Sequence, residues 1–188
     1  MNNDIDSIEI NELNSCIKGC TLCSLSKTRK NAVPGEGQFK KKILIVGEAP
    51  GVSEDRIGRP FVGSAGKILR RTLENNNFSI SDIYITNIVK CRPPNNRQPN
   101  INEKKMCSGY LEKQIQILKP KIICILGSVA LDYLLNLKPI TKYRGKIINK
   151  DKKNFFVMYH PAATLYNRNL LKIFEEDVKS LSKCVKIV

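Results

Sequence analysis

With 188 residues, 41% of them apolar, the chain has the makings of one domain, 1–188, with a full hydrophobic core. No stretch approaches the ~18–20 uninterrupted apolar residues of a membrane helix. Met1–Ile10 carries three acidic residues, no basic one and no apolar core, which excludes a secretory leader and leads us to expect a soluble, cytoplasmic protein with no membrane partner. Lys and Arg outnumber Asp and Glu by 32 to 17, and the net charge of +15 suits a nucleic-acid partner as well as it suits a merely Lys-rich soluble surface.

Taken in chain order, a short helix over Ile8–Ile17 leads into a cysteine-rich stretch. Lys42–Gly47 reads as a buried strand that runs into a turn, GEAPG. Helical spacing follows over Ser64–Asn75, a second strand over Ile83–Val89, and a Pro- and Asn-rich loop over Arg92–Asn100. A helix over Glu103–Leu118 stops before Pro120, and Lys121–Gly127 is a third strand. Ser128–Leu137 is helical, Lys146–Asn149 and Phe155–Tyr159 are short strands, and Asn169–Cys184 is the last helix. Alternating strands and helices predict a three-layer α/β/α sandwich around a central, mainly parallel four-stranded sheet. Ligands of such sheets sit beyond the carboxyl ends of the strands. The polar loops Gly47–Gly51, Asn87–Asn100 and His160–Asn167 fall there.

Seven cysteines, an odd number, argue against a complete disulfide framework. Cys20 and Cys23 form a C-x-x-C, while Cys91 follows the second strand and Cys107 lies sixteen positions on, in the next helix. Two close and two remote thiols suit either zinc or an iron–sulfur cluster. The wide split of the second pair departs from a zinc ribbon and favours [4Fe–4S]. Cys16, four residues before Cys20, is an alternative ligand by helical spacing. Cys124 reads as core, and Cys184 lies near the C-terminus.

The loops are more specific. The chain carries GEAPG at Gly47–Gly51, ED at Glu54–Asp55, GRPFVGSAG at Gly58–Gly66, YITNIVKCRPPNNR at Tyr84–Arg97 and HPAA at His160–Ala163. In order and content these resemble the family 4 iron–sulfur uracil-DNA glycosylases, from about Cys20 to the last helix. The resemblance implies excision of uracil from DNA to leave an abasic site, as in base excision repair. It also implies a [4Fe–4S] cluster on Cys20, Cys23, Cys91 and Cys107, with a structural and not a redox part in base release. A related branch traps DNA covalently through a histidine after the second strand. This chain has CRPPNNRQP there and its one histidine is His160.

Excision needs a pocket for an extruded base, a donor for the departing anion, a carboxylate near the cationic sugar and a filter for the base. The resemblance makes Phe61 the ring that stacks on uracil. Asn87, at a strand end, offers an amide that matches uracil O4 and N3–H and refuses cytosine. His160 is placed by the resemblance to donate to uracil O2; sequence leaves its charge state open. Glu48 is the candidate to stabilise the sugar cation or position water, and small Gly47 and Ala49 allow close approach. Glu54 matches a residue set against C5, where thymine's methyl would clash. The resemblance sends Thr164–Arg168 into the minor groove: Leu165 is the wedge, Tyr166 stands where the family commonly has arginine, and Arg168 is placed to compensate. Lys90, Arg92 and Arg97 are expected phosphate contacts.

The expected partner is uracil-containing DNA, met by a monomer; a sliding-clamp contact leaves no signature. Two rivals remain. A non-catalytic, cluster- or zinc-stabilised DNA-binding protein keeps the charge and the cysteines without needing Glu48, Phe61, Asn87 and His160 together. A nucleotide-binding enzyme would need the G-x-x-x-x-G-K-[ST] loop, which GEAPG lacks.

Overall fold

The computed structural model describes residues 2–185, with side chains from residue 8 onward. Met1 and residues 186–188, which belong to the expected domain 1–188, lie outside the described residues.

The order of elements is α1 (Asn2–Gly19), β1 (Ile43–Gly47), α2 (Val52–Ile57), α3 (Ser64–Glu74), β2 (Ile83–Asn87), α4 (Ile101–Leu118), β3 (Ile122–Leu126), α5 (Ser128–Leu135), α6 (Ile140–Tyr143), β4 (Ile147–Lys150), β5 (Lys153–Met158), α7 (Ala163–Tyr166) and α8 (Asn169–Cys184). The sheet runs β2-β1-β3-β5-β4, with β2, β1, β3 and β5 parallel and β4 antiparallel to β5. Every residue of β1, β2 and β3 is buried, as expected of strands covered on both faces.

Two cores follow from the period-2 alternation of strand side chains. Leu44, Val46, Ile123, Ile125 and Val157 meet α1, α4 and α5 through Leu13, Ile17, Leu111 and Leu131 on one face. On the other, Ile43, Ile45, Ile83, Cys124 and Phe156 pack against Leu69 and Leu73 of α3 and Phe174, Val178 and Leu181 of α8. Cys124 is thus core, as its apolar strand predicts.

The sheet has five strands where four were expected. The fifth is β4, expected as a short strand over Lys146–Asn149 but not counted in the sheet; it is joined to β5 by a two-residue turn at Asp151 and Lys152, both with positive φ. This mirror-image turn matches strand twist and normally recruits Asn-Gly or Asp-Gly, so Asp-Lys gives no hairpin signal. Arg144, entering β4, pairs with buried Asp177 of α8, Nε to Oδ2 at 3.0 Å. Helix α4 begins two residues before its predicted start because Asn100 and Glu103 cap each other: Glu103 N–H donates to Asn100 Oδ1 at 2.9 Å and Asn100 N–H to Glu103 Oε2 at 2.8 Å.

From β1 the chain moves to β2 on one side and then to β3 on the other. That reversal opens a crevice at the carboxyl end of β1.

Candidate base pocket and cysteine site

Gly47 ends β1 and Asn87 ends β2, and the two are register partners. Beyond them lies a cavity of about 290 Å³, bordered by Glu48, Ala49, Glu54, Phe61, Asn87 and His160. A side chain at Gly47 would fill it, since a Cβ there would stand 2.5 Å from Asn87 Oδ1 and 2.7 Å from Phe61 Cζ.

Asn87 is only 1% exposed, and its Oδ1 has no hydrogen-bond partner among the described residues. A buried orphan acceptor costs about 1–3 kcal/mol, so its place is justified by a ligand's N–H. His160 faces it from the end of β5. Gly127, after β3, leaves room for that histidine: with φ +91° it has no Cβ to meet His160 Cβ at 2.9 Å. His160 Nδ1 accepts the Ala162 N–H at 3.2 Å, which puts the ring proton on Nε2. Burial pulls its pKa down to about 4, against a smaller opposing pull from Glu54. At neutral pH the cavity therefore holds an uncharged imidazole donor. Burial also pushes the Glu48 carboxyl upward, partly offset by Lys104.

Phe61 sits at φ +51°, a strained setting for an aromatic residue that costs about 1–3 kcal/mol. Its surroundings hold it from both sides. Arg70 donates Nε to Phe61 O and Nη2 to Pro60 O, each at 2.9 Å, and is itself paired with Glu36. Glu54 Oε1 accepts from Val62 N at 2.8 Å and Gly63 N at 2.7 Å, and Oε2 from Gly51 N at 3.1 Å. Gly66 is obligatory, for its Cβ would lie 2.0 Å from Phe61 O. The Phe61 and His160 ring centroids end up 5.8 Å apart. Sequence reasoning placed Glu54 beside the base; it missed that the carboxylate ties two pocket loops together, and it missed Arg70 altogether. Neither role has a local motif.

Of the three cations expected on the rim, Lys90 must be corrected. It is 1% exposed, and its Nζ donates to Thr86 Oγ1, Asn87 O and Gln114 Oε1, each at 2.7 Å. Desolvation, opposed by the neighbouring Cys107 and Cys91, draws its pKa down to about 7. It cannot reach a phosphate. Arg97 borders the cavity mouth, with its guanidinium on Glu103 at 2.9 and 2.6 Å, and Arg92 donates to Asn96 Oδ1 at 2.7 Å. Beyond His160, Thr164 is buried with its hydroxyl on Pro161 O. Leu165 and Arg168 are exposed, and Tyr166 is 92% exposed.

Cys20, Cys23, Cys91 and Cys107 line one small cavity between the end of α1, the loop after β2 and α4. Three of their sulfurs face N–H donors: Arg29 Nη1 to Cys91 at 2.9 Å, Lys90 N to Cys107 at 3.3 Å and Leu22 N to Cys20 at 3.5 Å. Such contacts favour the thiolate form, but burial outweighs them and pushes the Cys91 thiol up and that of Cys107 to about 11. Among the described residues no group of three or more His, Cys, Asp or Glu is arranged to hold a metal ion; the four thiols share the lining of one cavity, and two close and two remote cysteines are a donor set that suits an iron–sulfur cluster. Cys16 is exposed and does not line the cavity.

The family model of the uracil DNA glycosylase superfamily matches residues 34–182. A type-4 uracil-DNA glycosylase of Sulfurisphaera tokodaii is 48% identical over 187 residues, covering 94% of this chain and 84% of its own. The chain belongs to the type-4 uracil-DNA glycosylases. Two more proteins of that name, from Saccharolobus solfataricus and Thermotoga maritima, are 45% and 42% identical, each covering 90% of this chain and 83% and 91% of their own. Of the residues predicted for the pocket, Glu48, Ala49, Glu54, Phe61, Asn87 and His160 line the one cavity beyond β1 and β2, and Gly47 lies against Asn87 and Phe61.

Two measurements check this site. The single histidine makes an imidazole NMR titration unambiguous: an Nε2–H tautomer with a pKa near 4 is expected. Because that value lies below the ordinary ~6.5, the stability it affects is intact above ~6.5 and falls as pH drops toward 4, where the unfolded chain takes up a proton and the native one does not. The loss amounts to about 3 kcal/mol in urea unfolding, and His160→Gln escapes it. Separately, Arg70→Met should destabilise the fold by about 1–3 kcal/mol, with partial recovery in Arg70→Lys.

Proposed function

We propose that this protein excises uracil from DNA as a monofunctional glycosylase, hydrolysing the N-glycosidic bond and leaving an abasic site for repair. The observation that carries the reading is the pairing, in one cavity, of the unpartnered Asn87 Oδ1 with a neutral His160 whose proton sits on Nε2.

An extruded uracil stacks on Phe61 and sets N3–H on Asn87 Oδ1, with the side-chain NH₂ turned to O4. Cytosine presents an acceptor and a donor in the reverse order and leaves Asn87 unpaired, a penalty large enough for strong discrimination. Glu54 stands where thymine's methyl would come. Held by three backbone amides, it cannot swing aside, so its role as brace makes its role as filter rigid.

As the C1′–N1 bond breaks, its electron pair passes to N1 and the base becomes an anion with charge on O2. His160 Nε2–H strengthens its hydrogen bond to O2 as that charge grows, and an uncharged donor needs no proton transfer to do so. The sugar acquires oxocarbenium character. Ionised Glu48 stabilises it and orients the water whose oxygen bonds to C1′. The raised pKa of Glu48 suits it to take the proton that water gives up. Ala49 and Gly47 keep this space clear.

Outside the cavity, exposed Leu165 is the wedge that fills the gap left by the flipped nucleotide, and Arg168, Arg92 and Arg97 contact backbone phosphates. The protein acts as a monomer in the cytoplasm, at the nucleoid; none of its described helices is long and apolar enough to cross a membrane. A [4Fe–4S] cluster on Cys20, Cys23, Cys91 and Cys107 supplies iron–thiolate bonds that join the N-terminal segment to β2 and α4. Base release transfers no electron and needs nothing more from it.

A uracil-containing oligonucleotide, treated with alkali after incubation, should break at U and not at T or C. His160→Ala should slow excision by about 10²–10³-fold, the usual effect of losing one anion donor, and Asn87→Ala should lower both rate and base discrimination. Tight binding without breakage would establish a non-catalytic DNA-binding protein instead. For the cluster, an anaerobic preparation should contain about four iron and four sulfide per chain. Cys107→Ala should lose that content, and Cys16→Ala should keep it.

A further inference from the structure

A second concavity, a groove of about 640 Å³, lies between the end of α1, residues 26–32 and the end of α2. Its lining includes Lys18, Arg29, Lys30 and Arg59 and no carboxylate. Nearby acids are already engaged. Asp55 is buried, and its Oδ1 accepts the Lys30 and Asn31 N–H groups at 2.9 and 3.2 Å. Glu36 is held by Arg59 and Arg70. Arg29 is fixed on Cys91 Sγ and on the Lys18 and Cys20 carbonyls. Lys18 and Lys30 are exposed, and neither ammonium has an ion-pair partner among the described residues. The groove is thus a place of excess positive charge, with small walls at Ala32 and Gly58 that let a chain come close.

Its position relative to the base cavity is fixed by α2. Gly51 and Glu54 border the cavity at one end of this helix, while Ile57 and Gly58 border the groove at the other. Six residues of helix rise about 9 Å, which is two to three steps of a DNA strand at ~3.4 Å each. A strand that delivers its base to the cavity therefore has flanking phosphates at the distance of the groove.

We propose that this groove is a phosphate track for the DNA whose uracil enters the cavity, with Lys18 and Lys30 each neutralising one backbone phosphate. It rests on the glycosylase reading above. Arg29 and Arg59, anchored by their own partners, add a fixed positive field. A wide polar channel with free lysines and no acid gives affinity without sequence preference, which suits an enzyme that must meet uracil in any context.

The test is binding to a uracil-free duplex across a range of NaCl concentrations. Lys18→Gln with Lys30→Gln should reduce the slope of log K against log salt by about 1.8, close to 0.9 per lost phosphate contact. Lys172→Gln with Lys179→Gln, on α8 at the opposite face of the sheet, removes the same charge and should leave the slope unchanged. An unaltered slope in the first pair, or an equal loss in both, overturns the proposal; the latter would mean that only total charge matters. Uracil excision by the wild type is measured alongside. If the wild type fails to cut, the glycosylase reading falls; if it cuts while the slopes behave as just described for failure, the groove alone falls.

Discussion

The end of β2 depends on a buried lysine. Lys90 donates to Thr86 Oγ1, to the Asn87 carbonyl and to Gln114 Oε1 of α4, while its own N–H donates to Cys107 Sγ. A buried amino group is expensive unless its hydrogens are satisfied, and here three acceptors lie within reach of them. The same bonds fix where Asn87 ends and how α4 lies against the sheet. Gln114 extends the network by donating to Pro34 O at 2.9 Å, and the Lys90 carbonyl accepts from Val33 N at 2.7 Å. One side chain thus joins the amide that borders the cavity, the helix that carries Cys107 and the segment that leads into β1. Cys91 and Cys107 flank the lysine that sets Asn87, so a group held by those thiols would bear on the base-facing amide without taking part in the bond-breaking step.

How far such a network is legible in sequence depends on whether its parts are neighbours along the chain. The strands were readable because parallel strands buried on both faces are unbroken apolar runs, as ILIVG and IICIL are. The carboxyl-end loops were readable because a doubly covered sheet leaves its polar groups nowhere else to go. Lys90 was misread because a lysine just after a strand is ordinarily exposed, and what draws it inward is Gln114, 24 residues away. Glu54 and Arg70 were opaque for a similar reason. Their partners are backbone groups of Gly51, Pro60, Phe61, Val62 and Gly63, which carry no side-chain signature. The strand at Lys146–Asn149 was readable, but its pairing into the sheet was not, because the turn that joins it to β5 has residues atypical for its geometry.

The pocket itself is held together by opposing constraints on backbone conformation. Phe61 pays for its position with a positive φ, and the turn can stay there because Arg70 satisfies the carbonyls on one side and Glu54 the amides on the other. Glycines stand where the walls are thinnest, at Gly47 under the ring and at Gly66 under its carbonyl. A ring held this way gives a flat, fixed surface whose ordering entropy was met on folding and not on binding.

The distribution of charge then separates attraction from selection. The surface carries a large excess of cations, which act over distances of about a Debye length and draw in any nucleic acid. Inside the cavity the groups that hydrogen-bond a base are neutral, an amide and an imidazole, and the one cation on its lining, Arg97, is paired with Glu103. A charged histidine there would attract any electron-rich base edge and would bear a heavy desolvation cost beside Phe61. A neutral donor with a fixed tautomer bonds only where an acceptor lies in line with Nε2–H, and gains most when that acceptor becomes an anion. Affinity for DNA therefore comes from charge outside, while discrimination among bases comes from hydrogen-bond direction within a cavity whose one cation is already paired.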